Sequence, residues 1–560
     1  MKTRYAILTL VMLSLISFGL FFEPVIFSDD WARLIANKAF GKLTWFLPAS
    51  GRPFDLAFYK LLFTLFGLNL NAFYLVKMIL IGLAAIQLYC LFTRFFPNYR
   101  YTGLAFAAVY LVYPVDQTRM WLTMLSPGWV LTLLYAWLLC EYMRRGKIGL
   151  LVGALVCFTL PLLEYEGQLG VALTWSLLLF FLSRRQNQGK WRFALLLPQA
   201  IGVGYALWKF YGPVVLHIYD RYAGRIQLQP LILGNRLLRG MGLLVIGWSD
   251  PLRYWVRVPG LDPANQQSYL PDLLLLVSLV LVAVICGVLA GRITRKPPSP
   301  AKISPDARRV KWKTHGLLVL VGVTLALAGY FPVISIGKPR LELVPSRFNF
   351  FAIPGAALVF VGLVGLLAWW LASQADQVPR IVWGMTLPFV LVGVASQSNV
   401  QWEARHNWEE QKAILRGLLE AAPGLDDQTM VVFVVPDYQP RRYAMRTPFV
   451  GNWEAAGVVQ VLYNNQTLSA EHYMPDRRDL PQARFLPFGI ENHPFSAGVT
   501  PYDQLLVVIW DASSRHVRVA FDLQKELGLP WQAPGYAPTR RILQERPIAP
   551  LRYLVDAASP

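Results

Sequence analysis

The chain has 560 residues, 55% of them hydrophobic and only 15% charged, with a formal net charge of +20; its mean hydropathy is +0.40. A soluble protein carries about a quarter charged residues, so this balance excludes an ordinary globular enzyme and points to many membrane spans. The excess of Lys and Arg does not make the chain a nucleic-acid binder, because the cations collect in short loops between apolar segments.

Lys2 and Arg4 precede an apolar run from Ala6 to Phe22. It ends in Phe21-Phe22-Glu23-Pro24, without a small-x-small cleavage site, and reads as an uncleaved first span with a cytoplasmic N-terminus. A span needs about 20 apolar residues. After 6–22 the candidates are 72–93, 101–114, 127–143, 148–163, 168–183, 193–210, 271–291, 315–335, 351–372 and 381–396. That makes about eleven transmembrane helices. The stretch 231–248 reads as a surface or re-entrant helix, and 54–67 as an amphipathic helix in the interface.

Orientation follows from Lys and Arg, which accumulate in cytoplasmic loops. With the first span running outward, the inner segments hold Arg94 and Arg100, then Arg144, Arg145 and Lys147, then Arg184, Arg185, Lys190 and Arg192. The Pro-rich linker 295–310 and its flanks add a further basic group, and Arg380 completes the set. An odd number of spans then places the tail outside the cytoplasm. The chain divides into a membrane domain, 1–398, whose first external loop is 23–71, and a soluble extracytoplasmic domain, 399–560. In that tail Met430–Val435, Leu505–Trp510 and Val517–Phe521 read as buried strands and Gln411–Glu420 as a helix, which together predict a small α/β domain. Cys90, Cys140, Cys157 and Cys286 all fall in apolar stretches and predict no disulfide framework. Asn465-Gln466-Thr467 is a glycosylation sequon by pattern alone.

On the outer side the acids are unusual. Asp29 and Asp30 follow the first span in Ser28-Asp29-Asp30-Trp31, Asp116 follows the third, and Glu164 and Glu166 follow the fifth. Ionisable groups at a membrane boundary are costly and are commonly kept for chemistry. A carboxylate within hydrogen-bond reach of a hydroxyl or amide can take its proton as general base while the bond from a sugar to an anionic leaving group breaks. A second acid can orient the acceptor or hold a divalent cation such as Mg or Mn. A leaving phosphate needs cations, and Arg52, Lys338, Arg340 and Arg347 stand in outer loops against the positive-inside trend. Each feature also has a plain structural use: Asp-Asp as a helix cap, Asp116 as a loop acid, Glu164 and Glu166 in ion pairs, and the cations on lipid headgroups.

The pattern Asp29-Asp30-Trp31 followed by Gly51-Arg52-Pro53 resembles the polytopic glycosyltransferases of the GT-C superfamily, which include protein mannosyltransferases, oligosaccharyltransferases and the aminoarabinose transferases of lipid A. Such enzymes share an outward first span, an acidic motif opening the first external loop, and a juxtamembrane helix preceded by a basic-Pro element. The resemblance is carried by residues 1–120 and does not reach the C-terminal domain. It implies transfer of sugar, with inversion, from a polyprenyl-phosphate donor to a lipid, glycan or protein acceptor on the outer face. By position Asp29 or Asp30 would be the base, Asp116 a further acid and Arg52 the contact to the lipid phosphate. The chain departs from its relatives in having a lone Asp116 where an Asp-x-Asp is usual, which leaves metal dependence open. Three other readings stay open: a polymerase or ligase of surface polysaccharide that also uses lipid-linked sugars, a flippase or transporter of lipid-linked saccharides, and a non-enzymatic envelope-glycan assembly protein.

Overall fold

A computed structural model of the protein describes residues 3–19, 24–26, 30–41, 52–116, 118–122, 127–184, 191–215, 229–248, 305–334, 349–374, 377–436, 449, 452–475, 483–491 and 498–545. In chain order the helices are α1 (Thr3–Gly19), then a π-helical turn (Asp30–Ile35) running into α2 (Ala36–Ala39), α3 (Pro53–Phe66), α4 (Leu70–Phe95), α5 (Arg100–Leu111), α6 (Pro127–Arg145) and α7 (Ile148–Leu162). They continue as α8 (Leu169–Arg184), α9 (Leu197–Val215), α10 (Pro230–Ile246), α11 (Pro305–Ile334), α12 (Ile353–Leu371), α13 (Gln377–Ala421), α14 (Asn452–Tyr463) and α15 (Leu523–Leu527).

The chain forms two compact units, one of Met1–Phe22, Trp45–Arg119 and Leu125–Gln401, the other of Glu23–Thr44, Met120–Met124 and Trp402–Pro560. The first is helical and has membrane character. Four helices among the described residues are long and apolar enough to cross a bilayer: α4, Val310–Ile334 of α11, α12, and α13. Thr3–Phe18, Ile148–Leu162 and Glu166–Phe181 are apolar but shorter. The candidate span 101–114 becomes α5, a helix of 12 residues that is buried from Thr102 to Leu111. The candidate span 271–291, with Cys286, lies outside the described residues. Cys90, Cys140 and Cys157 are free and half-buried on helices.

Local chemistry sets the helix ends. Asn69 caps α4, its side chain accepting from the Ala72 N–H at 3.2 Å. Gly67, at φ +59°, closes α3 with its N–H on the Phe63 carbonyl, a conformation that side-chain-bearing residues rarely hold. The stretch 54–67 is indeed helical, as α3, burying Tyr59, Leu62 and Phe63 while Leu61, Leu65 and Phe66 stay exposed. α10, the surface or re-entrant helix of the sequence reading, exposes Leu231, Leu238 and Val245. Buried Glu141 gathers three guanidinium groups, Arg94 and Arg144 at 2.9 Å each and Arg145 at 2.7 Å. α11 and α12 meet through glycines: a Cβ on Gly355 would overlap the backbone of Ala326 and Gly322, and one on Gly329 the backbone of Phe351. Close approach of this kind is how membrane helices pack without a hydrophobic force between them.

The second unit carries the sheet. Its strands are β1 (Gly424–Leu425), β2 (Met430–Val434), β3 (Ser469–Tyr473), β4 (Arg484–Leu486), β5 (Gly489–Glu491), β6 (Val499–Thr500), β7 (Leu505–Asp511), β8 (His516–Val519) and β9 (Ile542–Leu543). The main sheet has the order β3-β2-β7-β8, with β3, β2 and β7 parallel and β8 antiparallel to β7. β2, α14 and β3 form a βαβ crossover, the connection that parallel neighbours require. β2 and β7 are covered on both faces, and their continuous apolar runs are the mark of that burial. Val432, Val434, Val507 and Ile509 join Tyr502, Leu523 and Leu529 in the core beneath. β4, β5 and β6 make a small antiparallel meander. The predicted span 381–396 and the predicted helix 411–420 are one continuous helix, α13, with the division between units at Gln401 and Trp402.

Candidate functional site

The ionisable residues singled out by the sequence fall into separate settings, and the first lies in the second unit. Asp30 opens the π-helical turn and is 0% exposed. Its Oδ2 accepts the Leu122 N–H at 3.0 Å, which fixes the carboxylate across 92 residues of chain. Trp31, equally buried, sets its ring 5.8 Å from that of Trp408 in α13. The same turn packs against α14. Gln411, one turn beyond Trp408, donates from Nε2 to Asn407 Oδ1 at 3.0 Å and to Glu454 Oε1 at 3.1 Å. The Asp30 turn is thus built into the C-terminal unit. Asp29 lies outside the described residues.

In the first unit Asp116 closes a turn. Its Oδ1 accepts the Thr118 N–H at 2.8 Å and the Thr118 hydroxyl at 2.7 Å, the local pattern by which Asp competes with regular structure. Gln397 of α13 clamps this turn from Nε2, on the Tyr113 carbonyl at 2.6 Å and the Asp116 carbonyl at 3.2 Å. The fully buried Lys77 amine of α4 donates to the Thr118 carbonyl. Arg119 follows, 2% exposed, donating from Nη2 to the Leu111 carbonyl and stacking 4.5 Å over the Phe18 ring. Its Nε and Nη1 are buried and have no hydrogen-bond partner among the described residues. Burial pulls the guanidinium down to about 10, with Asp116 and Tyr110 opposing, so it stays a cation at neutral pH. An unmet buried donor costs about 1–3 kcal/mol and more when charged.

A second cluster in this unit joins the start of α3 to the turn between α7 and α8. Pro53 at the first helical position loses nothing by lacking an N–H and fixes the entry of α3 directly after Arg52. The Phe54 N–H then reaches the Leu163 carbonyl at 3.2 Å. Arg52 pairs through Nη2 with Glu166 Oε1 at 3.1 Å and lies 4.5 Å over the Tyr165 ring. Tyr165 in turn stacks on Phe351 at 5.6 Å. The turn is tight enough that a Cβ on Gly167 would strike both rings. Burial pushes the Glu166 carboxyl up, but Arg52, Lys209 and its hydrogen bonds together bring it below the usual range. Glu164 has the opposite fate. It is 6% exposed and accepts the Gly128 N–H in the first turn of α6. Burial, reinforced by Asp55, pushes it well above the usual carboxylate range, against the Gly128 hydrogen bond and Arg52. Gln168 completes this group, its Oε1 accepting the Thr132 hydroxyl at 2.7 Å.

The structure therefore brings Arg52 and Glu166 together and gives Glu164 to the end of α6. Lys338, Arg340 and Arg347 lie outside the described residues. Among the described residues no three His, Cys, Asp or Glu side chains gather as a metal site. Sequence reasoning passed over Arg119, Gln397 and Asp55. For Arg119 a signal existed: it is an isolated cation in an apolar, aromatic loop that the charge pattern assigns to the outer side, where the positive-inside trend expects none. Comparison of the chain with protein-family models, with curated proteins and with solved structures finds no match.

Proposed function

We propose that the protein is an integral-membrane glycosyltransferase of GT-C type, with about eleven spans and its C-terminal domain outside the cytoplasm. It takes a sugar from a polyprenyl-phosphate donor and passes it, with inversion, to an acceptor on the extracytoplasmic face. The observation that supports this most is Asp30, fully buried and aimed by a backbone N–H, in a chain that is mostly apolar helix. A desolvated, oriented carboxylate suits a general base. In the reaction the acceptor oxygen attacks the anomeric carbon, its proton passes to Asp30 or Asp29, and the bond to phosphate breaks with its electron pair leaving on the phosphate. Asp116 is the further acid, oriented by its own turn. Arg52, paired with Glu166, is proposed as a contact to the lipid phosphate. Lys338, Arg340 and Arg347 are proposed to add to that positive field.

The test uses purified protein in lipid nanodiscs with a panel of polyprenyl-phosphate sugars and an envelope extract as acceptor. Mass spectrometry reads the release of free polyprenyl phosphate. Asp30→Asn or Asp29→Asn should insert normally and lower release by at least ~100-fold, the loss expected for a general base. Wild-type release from both variants sinks the assignment. No release from any donor, by folded protein, favours transport or assembly instead.

A further inference from the structure

Arg119 has donors to spare. It occupies the one-turn segment Thr118–Met120 between α5 and α6 and is 2% exposed. The Phe18 ring covers one face of the guanidinium, and the Leu111 carbonyl takes Nη2. Nε and Nη1 are buried and meet no acceptor among the described residues. The nearby carboxylate, Asp116, spends Oδ1 on Thr118. Lys77, the second buried cation at this turn, reaches the Thr118 carbonyl with its amine. Two cations therefore converge on a single turn, and one of them keeps N–H groups in its own plane with no acceptor among the described residues.

A planar guanidinium presents its donors in a fixed array that matches the oxygens of a phosphate, and such bonds gain strength away from water. Arg52, the cation that the loop motif marks, already has a carboxylate partner in Glu166. Arg119 is the better-prepared receptor for a new anion. Its surroundings, Phe18 and Leu111 at the ends of apolar helices, favour a phosphate carried by a hydrocarbon chain over a freely hydrated one.

We propose that Arg119 is a phosphate-binding residue whose free Nε–H and Nη1–H groups take the oxygens of a lipid-linked phosphate. The identity of that lipid, as the sugar donor or its released carrier, rests on the transferase reading; the binding site itself does not.

The experiment uses the full-length protein in nanodiscs and two probes, dodecyl phosphate and inorganic phosphate, with binding read by 31P NMR and by the shift in thermal unfolding. Dodecyl phosphate should bind the wild type, and Arg119→Gln should bind it at least about tenfold more weakly, as expected for the loss of a charged donor. Arg119→Lys keeps the charge but not the planar array and should fall between the two. Unchanged dodecyl phosphate binding by Arg119→Gln overturns the site. Should that variant not fold, Arg119→Lys decides, and full affinity in it overturns the guanidinium role. Inorganic phosphate binding as tightly as the ester supports the anion site but overturns the lipid carrier. Arg119-dependent binding without transfer from any donor keeps this site and removes the transferase, whereas transfer by a wild type that binds neither probe does the reverse.

Discussion

Leu163 hands the chain from α7 to a turn in which Glu164 faces the first turn of α6 and Glu166 faces Arg52, so neighbouring carboxylates stabilise the fold at opposite ends of the pH scale. Glu166 is held below its unfolded value of about 4.3. Its contribution is present above that value and is lost as pH falls through the lower folded one. Glu164 is held above the same unfolded value, so its contribution is present below it and fades as pH rises through the raised folded one. Wild-type thermal stability should therefore decline on the alkaline side of about pH 4.3 through the Glu164 titration, and Glu164→Gln should remove that decline. Glu164→Ala should cost about 1 kcal/mol below about pH 4.3 by leaving the Gly128 N–H without its cap, and less as pH rises, because it too removes the titrating carboxyl. Unfolding midpoints across the pH range in detergent check both. A decline that survives in the Gln variant assigns it to another group.

α11 and α12 show what a whole element asks of its residues. Their glycines allow backbone contact, and the overlap a Cβ would create at Gly355 is with main-chain atoms that have nowhere to move. Gly355→Leu should cost about 3 kcal/mol or more, the upper range for overpacking. Gly316, on the same α11, has nothing within 4 Å of a Cβ. Gly316→Leu should stay within about 0.5 kcal/mol of wild type. Thermal unfolding followed by tryptophan fluorescence separates the two, and equal losses contradict the close-packed interface. This scale also marks the limit of reading elements from sequence. Strands β2 and β7 were legible because five or more apolar residues in a row declare burial on both faces. β3 was not, since Glu471 and His472 interrupt the pattern and are nonetheless buried. The helix α5 was legible as apolar but not as short, because hydropathy does not say where Val112 ends it. At the site, the sequence pointed to Asp30 and Arg52 by their neighbours Trp31 and Pro53. It said nothing of Leu122, and it offered Glu166 as an ion-pair acid without naming Arg52 as the partner, because these contacts join segments 92 and 114 residues apart.

For the whole molecule, the proposed reaction has a single geometric demand: the C-terminal unit, which includes the Asp30 turn and Trp408, must lie on the same side of the membrane as the donor sugar. Loop charge supplies the expected orientation. Arg144, Arg145 and Lys147 belong to a cytoplasmic loop under the positive-inside trend, and about seven of the eleven proposed spans lie between that loop and the tail. An odd number of crossings separates the two sides. Lys147 and Gln524 are both exposed side chains and serve as reporters. In a background with Cys90, Cys140, Cys157 and Cys286 replaced by Ser, Gln524→Cys should react with a membrane-impermeant maleimide in right-side-out vesicles. Lys147→Cys should react only after the vesicles are opened. Reaction of both only after the vesicles are opened means an even number of crossings with the tail inside, which removes the extracytoplasmic domain and with it the outer-face transferase. Labelling of Lys147→Cys alone inverts the topology and would turn Asp30 toward the cytoplasm, where a polyprenyl-phosphate donor flipped outward could not meet it.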